Sequence, residues 1–119
     1  MNIPTNISEC FDELDKMFSE IPKDLKVFKE SDEEKALATF HNSLGRWIRN
    51  NWGLWTRDSK IYNTFNDMQL WHADDMSSVI IVSYHRYIND VDIDLKGQIE
   101  SYLKYWEEYE KTNGPIIKK

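Results

Sequence analysis

Phe11, Leu14, Met17, Phe18 and Ile21 recur at three- and four-residue spacing, which places them on one face of an α-helix. Asn6 stands ahead of them with Glu9 three residues on, a start signal in which side-chain oxygens meet the free N–H groups of the first turn. Pro22 ends that helix and suits the first turn of a short second one carrying Leu25 and Phe28, so the N-terminal helices span about residues 6–29. Ser31 with Glu34 forms the clearest capping box of the chain. Behind it Leu37, Phe40, Leu44, Trp47, Ile48 and Asn51 trace a long helix from about Asp32 to Asn51.

Gly53 breaks the pattern, and "GLWTRDS" reads as a loop before a short helix with Ile61, Phe65 and Met68 inward. Asp74 reads as an N-cap, with Asp75 favoured by the helix dipole. The helix behind it, about 75–89, is apolar nearly all round through Met76, Val79–Val82, Tyr84, Tyr87 and Ile88, which marks it as central. Val79–Val82 also fits a buried strand, but the Asp74 cap and the lack of a partner strand favour the helix. A last helix starts near Asp92 or Asp94, turns Leu95, Ile99, Tyr102, Leu103, Trp106 and Tyr109 to one side, and stops at "NGP", where Gly114 offers a left-handed cap and Pro115 cannot continue. The predicted fold is all-α, a bundle of five or six helices around residues 75–89 in a single domain of 1–119.

Composition adds limits. At 119 residues with 40% apolar side chains, the chain is long enough for one core, and no apolar run approaches the roughly 20 residues of a membrane helix. The first residues, "MNIPTNISEC", lack a signal-peptide layout, which makes the cytoplasm the expected compartment. Cys10, the single cysteine, sits among apolar neighbours and reads as a small core residue. A net charge of −6 speaks against non-specific nucleic-acid binding. Yet Lys35 to Arg57 holds four basic residues and no acidic one, leaving 11 basic and 21 acidic residues elsewhere. An isolated cationic stretch in an acidic protein suits a compact anionic ligand.

That stretch contains "RWIRNNWGLWTR". Asn42, Arg46 and Arg49 fall on one stripe with Asn50 beside it, and Trp52 and Trp55 come next. Guanidinium forks, amides and indole planes together are what a phosphate and a stacked base require. Trp47 and Trp106 read as core. In "WHADDMSS", His72, Asp74 and Asp75 form too sparse a set for a metal site, and the acids can instead pair with Arg46 or Arg49 across the bundle. In "SYHRYIND", His85 and Arg86 are polar groups on an apolar helix and need partners, Asp74, Asp75 or a bound phosphate for the arginine. No nucleophile elbow, phosphate loop or cofactor motif is present.

"ALATFHNSLGRWIRNNWGLW", "FND", "HADDMSSVIIVSYHRYIN" and "DLKGQIESYLKYW" resemble a small domain family of unknown function found in bacterial and bacteriophage proteins, over about Ala36–Trp106. That family favours proline where this chain has Ala73. The resemblance implies that Arg46, Arg49, Asn50, Asn51, Trp52, His72, Asp74, Asp75, His85 and Arg86 matter, and assigns none of them a reaction.

The leading reading is non-enzymatic binding of a compact anionic ligand, nucleotide or ADP-ribose-like, with sequestration of a host signalling nucleotide as one version. Arg46, Arg49 and Arg86 would hold phosphate, Trp52 or Trp55 would stack, and Asn50, Asn51 and His85 would read polar edges. The alternatives are a protein-interaction or immunity-type module with an acidic surface, with a protein partner or a second copy, and an enzyme using His72, Asp75 or His85 on a phosphate- or sugar-containing substrate. Convergence of Arg46, Trp52 and Arg86 on one cavity would favour binding strongly, whereas each facing a different neighbour in a dry core would make the signature one of folding.

Overall fold

Every residue from Met76 to His85 is buried, a condition that a helix meets only when neighbours surround it. The computed structural model describes residues 3–114, and that central helix is α6 (Ala73–Ile88). Around it lie α1 (Ile7–Ser19), α2 (Pro22–Glu30), α3 (Glu33–Phe40), α4 (Arg46–Asn51), α5 (Lys60–Asp67) and α7 (Leu95–Asn113). A π-helical turn, His41–Gly45, joins α3 to α4, so the described residues form six rods and no strand. The fold is all-α, and Val79–Val82 lies inside α6.

α1, α2, α3, the π turn, α4 and α7 all pack on α6. Phe18, Phe28 and Tyr84 stack at 5.5–6.0 Å where α1 and α2 meet it, and the Tyr84 hydroxyl donates to Asp15 at 2.8 Å. Cys10 and Leu14 are fully buried beneath them, and burial pushes the Cys10 thiol up, as befits a core residue rather than a nucleophile. α5 contributes Ile61, Tyr62 and Phe65 to the same core.

Caps follow side-chain chemistry closely, with three corrections. Asn6 accepts from Glu9 N–H at 2.9 Å and Asp94 accepts from Gly97 N–H at 3.1 Å, as the sequence predicts. Ser31 does not cap α3. Its hydroxyl turns back to the Val27 carbonyl at the end of α2, and Asp32 takes the cap by accepting from Lys35 N–H at 2.8 Å. Asp74 lies inside the first turn of α6, not at its cap, which His72 occupies without a side-chain bond. Gly114 succeeds α7 with φ 89° and ψ 177°, positive φ but not the left-handed helical conformation, and Pro115 is outside the described residues.

The loop after α4 folds back into the core. Trp52 and Leu54 are buried, the Ser59 hydroxyl donates to the Trp52 carbonyl at 2.7 Å, and Gly53 takes φ 70° with Ser59 Cβ only 3.0 Å from where a side chain would begin.

Candidate functional site

Helical spacing predicts Asn42, Arg46 and Arg49 on one stripe of a long helix, and the structure splits that stripe. A π turn takes more residues per revolution than an α-helix, so it rotates α4 relative to α3. Asn42, Arg46 and Asn50 face solvent, whereas Arg49 is 6% exposed. Gly45 makes this possible: a Cβ there would lie 2.9 Å from Arg49 Nη1, 3.5 Å from Ile81 and 3.6 Å from Ser77 Oγ. Along that bare glycine the guanidinium reaches α6, where Nη1 donates to Ser77 Oγ at 2.8 Å and Nε lies 3.3 Å from Asp74 Oδ1. The anticipated cross-bundle ion pair is therefore present, and it occupies Arg49.

Arg86 is also held, though not by Asp74 or Asp75. Its Nε and Nη2 donate to the two carboxylate oxygens of Glu33 at 2.5 and 3.1 Å, and Nη1 donates to the Ile93 carbonyl at 2.7 Å. The two aspartates sit 11 and 12 residues away on the same helix, about 16–18 Å along its axis, so they cannot reach. The guanidinium holds the Glu33 carboxyl below its usual range. His85 is locked nearby: Nε2–H donates to the Ser31 carbonyl at 2.8 Å and the ring stands edge-on to Phe28.

Trp52 is fully buried and edge-on to Trp47, so it is core rather than a stacking platform, and Trp47 packs against the core only in part. Asn51 spends its amide on the Trp47 carbonyl at 2.8 Å. The Arg46, Arg86 and Trp52 sites thus do not converge. What remains on the surface is Arg46, which has no ion pair among the described residues, together with Asn50, Trp55 and Arg57. Trp55 is 56% exposed and its Nε1–H donates to Asn50 Oδ1 at 3.0 Å, one helical turn beyond Arg46.

His72 and Asp75 belong to a different place, around Trp106. The His72 ring stacks on Trp106 at 3.9 Å, and Trp106 Nε1–H donates to Asp75 Oδ2 at 2.7 Å. Burial raises the Asp75 carboxyl above its ordinary range, although that hydrogen bond and His72 pull the other way. Behind it, Ser78 Oγ lies 3.5 Å from His41 Nδ1, and burial raises the Tyr102 hydroxyl above its ordinary range although Ser78 pulls the other way. Beside Trp106 opens a cleft of about 320 Å³, with Leu70, Trp71, His72, Leu103, Glu107 and Glu110 among its lining. Its carboxylates suit no phosphate. Sequence reasoning missed Glu33, Trp71, Tyr102 and Leu103, because their roles come from inter-helix register, and it gave Trp106 a core role when the indole is only partly buried.

Among the described residues no three His, Cys, Asp or Glu side chains gather to hold a metal ion, and no helix is long and apolar enough to cross a membrane. A family model described as a domain of unknown function (DUF6794) matches residues 3–88. Neither curated proteins nor solved structures give a match. The matched segment ends with the last residue of α6, so α7, and with it Trp106 and Glu107, lies beyond it.

Proposed function

The chain belongs to this family of unknown function, and from its geometry we propose non-enzymatic binding of a compact anionic ligand of the nucleotide type on the Arg46–Asn50–Trp55 face. The observation that carries the reading is Trp55: an indole more than half exposed, hydrogen-bonded to the Asn50 carboxamide one helical turn from Arg46, whose guanidinium has no ion pair among the described residues. An exposed indole oriented by a hydrogen bond is a stacking platform with part of its ordering cost already met by the fold. Arg46 supplies the planar fork for phosphate, Arg57 a second charge two residues along the loop, and the Asn50 amide N–H groups a polar reader.

Magnitudes bound the function. One stacked base contributes about 1–3 kcal/mol and one charge-assisted bond about 1.5–3. Together they correspond to Kd values from millimolar or weaker to tens of micromolar. Sequestration of a scarce signalling nucleotide by a phage protein needs at least micromolar affinity, about 8 kcal/mol, so these two arms support reversible binding at cytoplasmic nucleotide concentrations. Calorimetry with ADP and ADP-ribose tests the reading. Saturable binding that disappears in Arg46→Ala and in Trp55→Ala supports it, and no heat or stabilisation with either ligand contradicts it.

A second reading, an acidic protein-interaction module, draws on the end of α7, where Tyr105 and Tyr109 are 58% and 42% exposed beside Glu107 and Glu108. Exposed aromatics rimmed by charge are common interface anchors. That reading requires a protein partner whose binding survives Trp55→Ala and fails when Tyr105 and Tyr109 are replaced.

A further inference from the structure

We infer that the cleft beside Trp71 is a second binding site, for a small organic cation: an ammonium or quaternary ammonium group on an apolar body. The cleft, about 320 Å³, lies at the lower end of the range for small-molecule sites, and Leu70 and Leu103 give it apolar lining. Trp71 is the wall with a ring to offer. The Trp106 ring is already engaged by His72 at 3.9 Å and by Tyr105 and Tyr109 edge-on, whereas Trp71 has no ring partner among the described residues. The Trp71 indole nitrogen is buried while the residue itself is partly exposed, so what the ring shows the cleft is carbon. An indole face carries negative quadrupole density and attracts cations.

Charge selects the same ligand. Glu107 and Glu110 line the cleft, and among the described residues no lysine or arginine does. Lys111 comes within 3.6 Å of Glu107, but both side chains are more than 60% exposed, so water screens that pair and a ligand's cation can share the carboxylate. Glu107 disfavours a phosphate there, which makes this site independent of the anion-binding face and of whether that face binds anything.

The five indole N–H signals of the ¹⁵N-labelled chain separate the possibilities. Choline is the probe, and 3,3-dimethylbutan-1-ol, which has the same shape without the charge, is its control. The inference predicts saturable movement of the Trp71 signal with choline and binding at least about tenfold weaker for the neutral isostere, the difference a cation–π contact with carboxylates makes. Glu107→Gln, a surface change that leaves packing alone, weakens choline by about threefold or more while the signals of the free protein stay in place. Equal binding of choline and its isostere, or no movement of the Trp71 signal with choline, overturns the assignment.

Discussion

Arg49 Nε and Asp74 Oδ1 stand 3.3 Å apart across the interface of α4 and α6, the guanidinium buried and the carboxylate largely in water. The asymmetry makes the two ends of the pair unequal. Arg49→Met keeps the aliphatic packing and removes the charge, and should cost about 1–2 kcal/mol in urea unfolding while leaving ADP binding unchanged. Asp74→Ala leaves a buried cation with Ser77 alone and should cost about 1–3 kcal/mol. Loss of ADP binding in Arg49→Met with a small stability change would show that the guanidinium serves the ligand after all.

Trp52 is fully buried and its indole N–H has no acceptor among the described residues. Trp52→Phe gives up apolar area and the same substitution removes an unsatisfied donor, whose burial costs about 1–3 kcal/mol. The two effects offset, and the variant should unfold within about 1 kcal/mol of the parent, whereas Trp52→Ala should lose about 3–5 kcal/mol. A phenylalanine variant as unstable as the alanine variant would mean that the indole N–H is satisfied in solution.

Glu33 carries the opposite lesson about acid. Its folded carboxyl sits below the ordinary 4.5 because Arg86 grips it, so the folded state binds its proton less readily than the unfolded chain does. The contribution is present above about pH 4.5 and is lost as the pH falls through the folded value. Glu33→Gln should therefore be less stable than the parent at pH 7, by roughly 0.5–2 kcal/mol for a pair that is partly exposed, and the gap should close below pH 4.5. A gap that persists to pH 3 in urea titrations would count against the ion pair.

Asp75 runs the other way. Burial raises its folded value above the ordinary 3.8, so the charged form destabilises the fold at neutral pH and stability recovers as protonation sets in. Asp75→Asn keeps an oxygen for the Trp106 indole and should match or slightly exceed the parent at pH 7, with the advantage gone below pH 3.8. A clear loss at pH 7 would assign the carboxylate a stabilising bond that asparagine cannot make.

Much of the fold is written in the spacing of apolar residues. The nearly continuous run from Met76 to Ile88 announces a helix with neighbours on every side, and α6 is that helix. Where two adjacent residues meet the same local rule, as Ser31 and Asp32 do for the α3 cap, sequence cannot choose, because the choice depends on which carbonyl of the preceding helix lies within reach. The π turn leaves no signal at all, and by rotating α4 it takes Arg49 off the solvent stripe and into α6. Exposure of Trp55 and burial of Trp52 depend on how the loop between α4 and α5 folds back, which no periodicity encodes. The chemistry of "RWIRNNWGLWTR" is legible as a set of groups. Its division into a buried half and an exposed half is not.

The central claim is that the exposed half binds anions through Arg46 and Trp55. Titrating ADP into the ¹⁵N-labelled chain while tracking the five indole N–H signals tests it most directly. The account predicts saturable movement of the Trp55 signal, abolished by Arg46→Ala, with the buried Trp52 signal unmoved. A Trp55 signal that stays in place even at tens of millimolar ADP, or movement confined to Trp71 and Trp106, would contradict it.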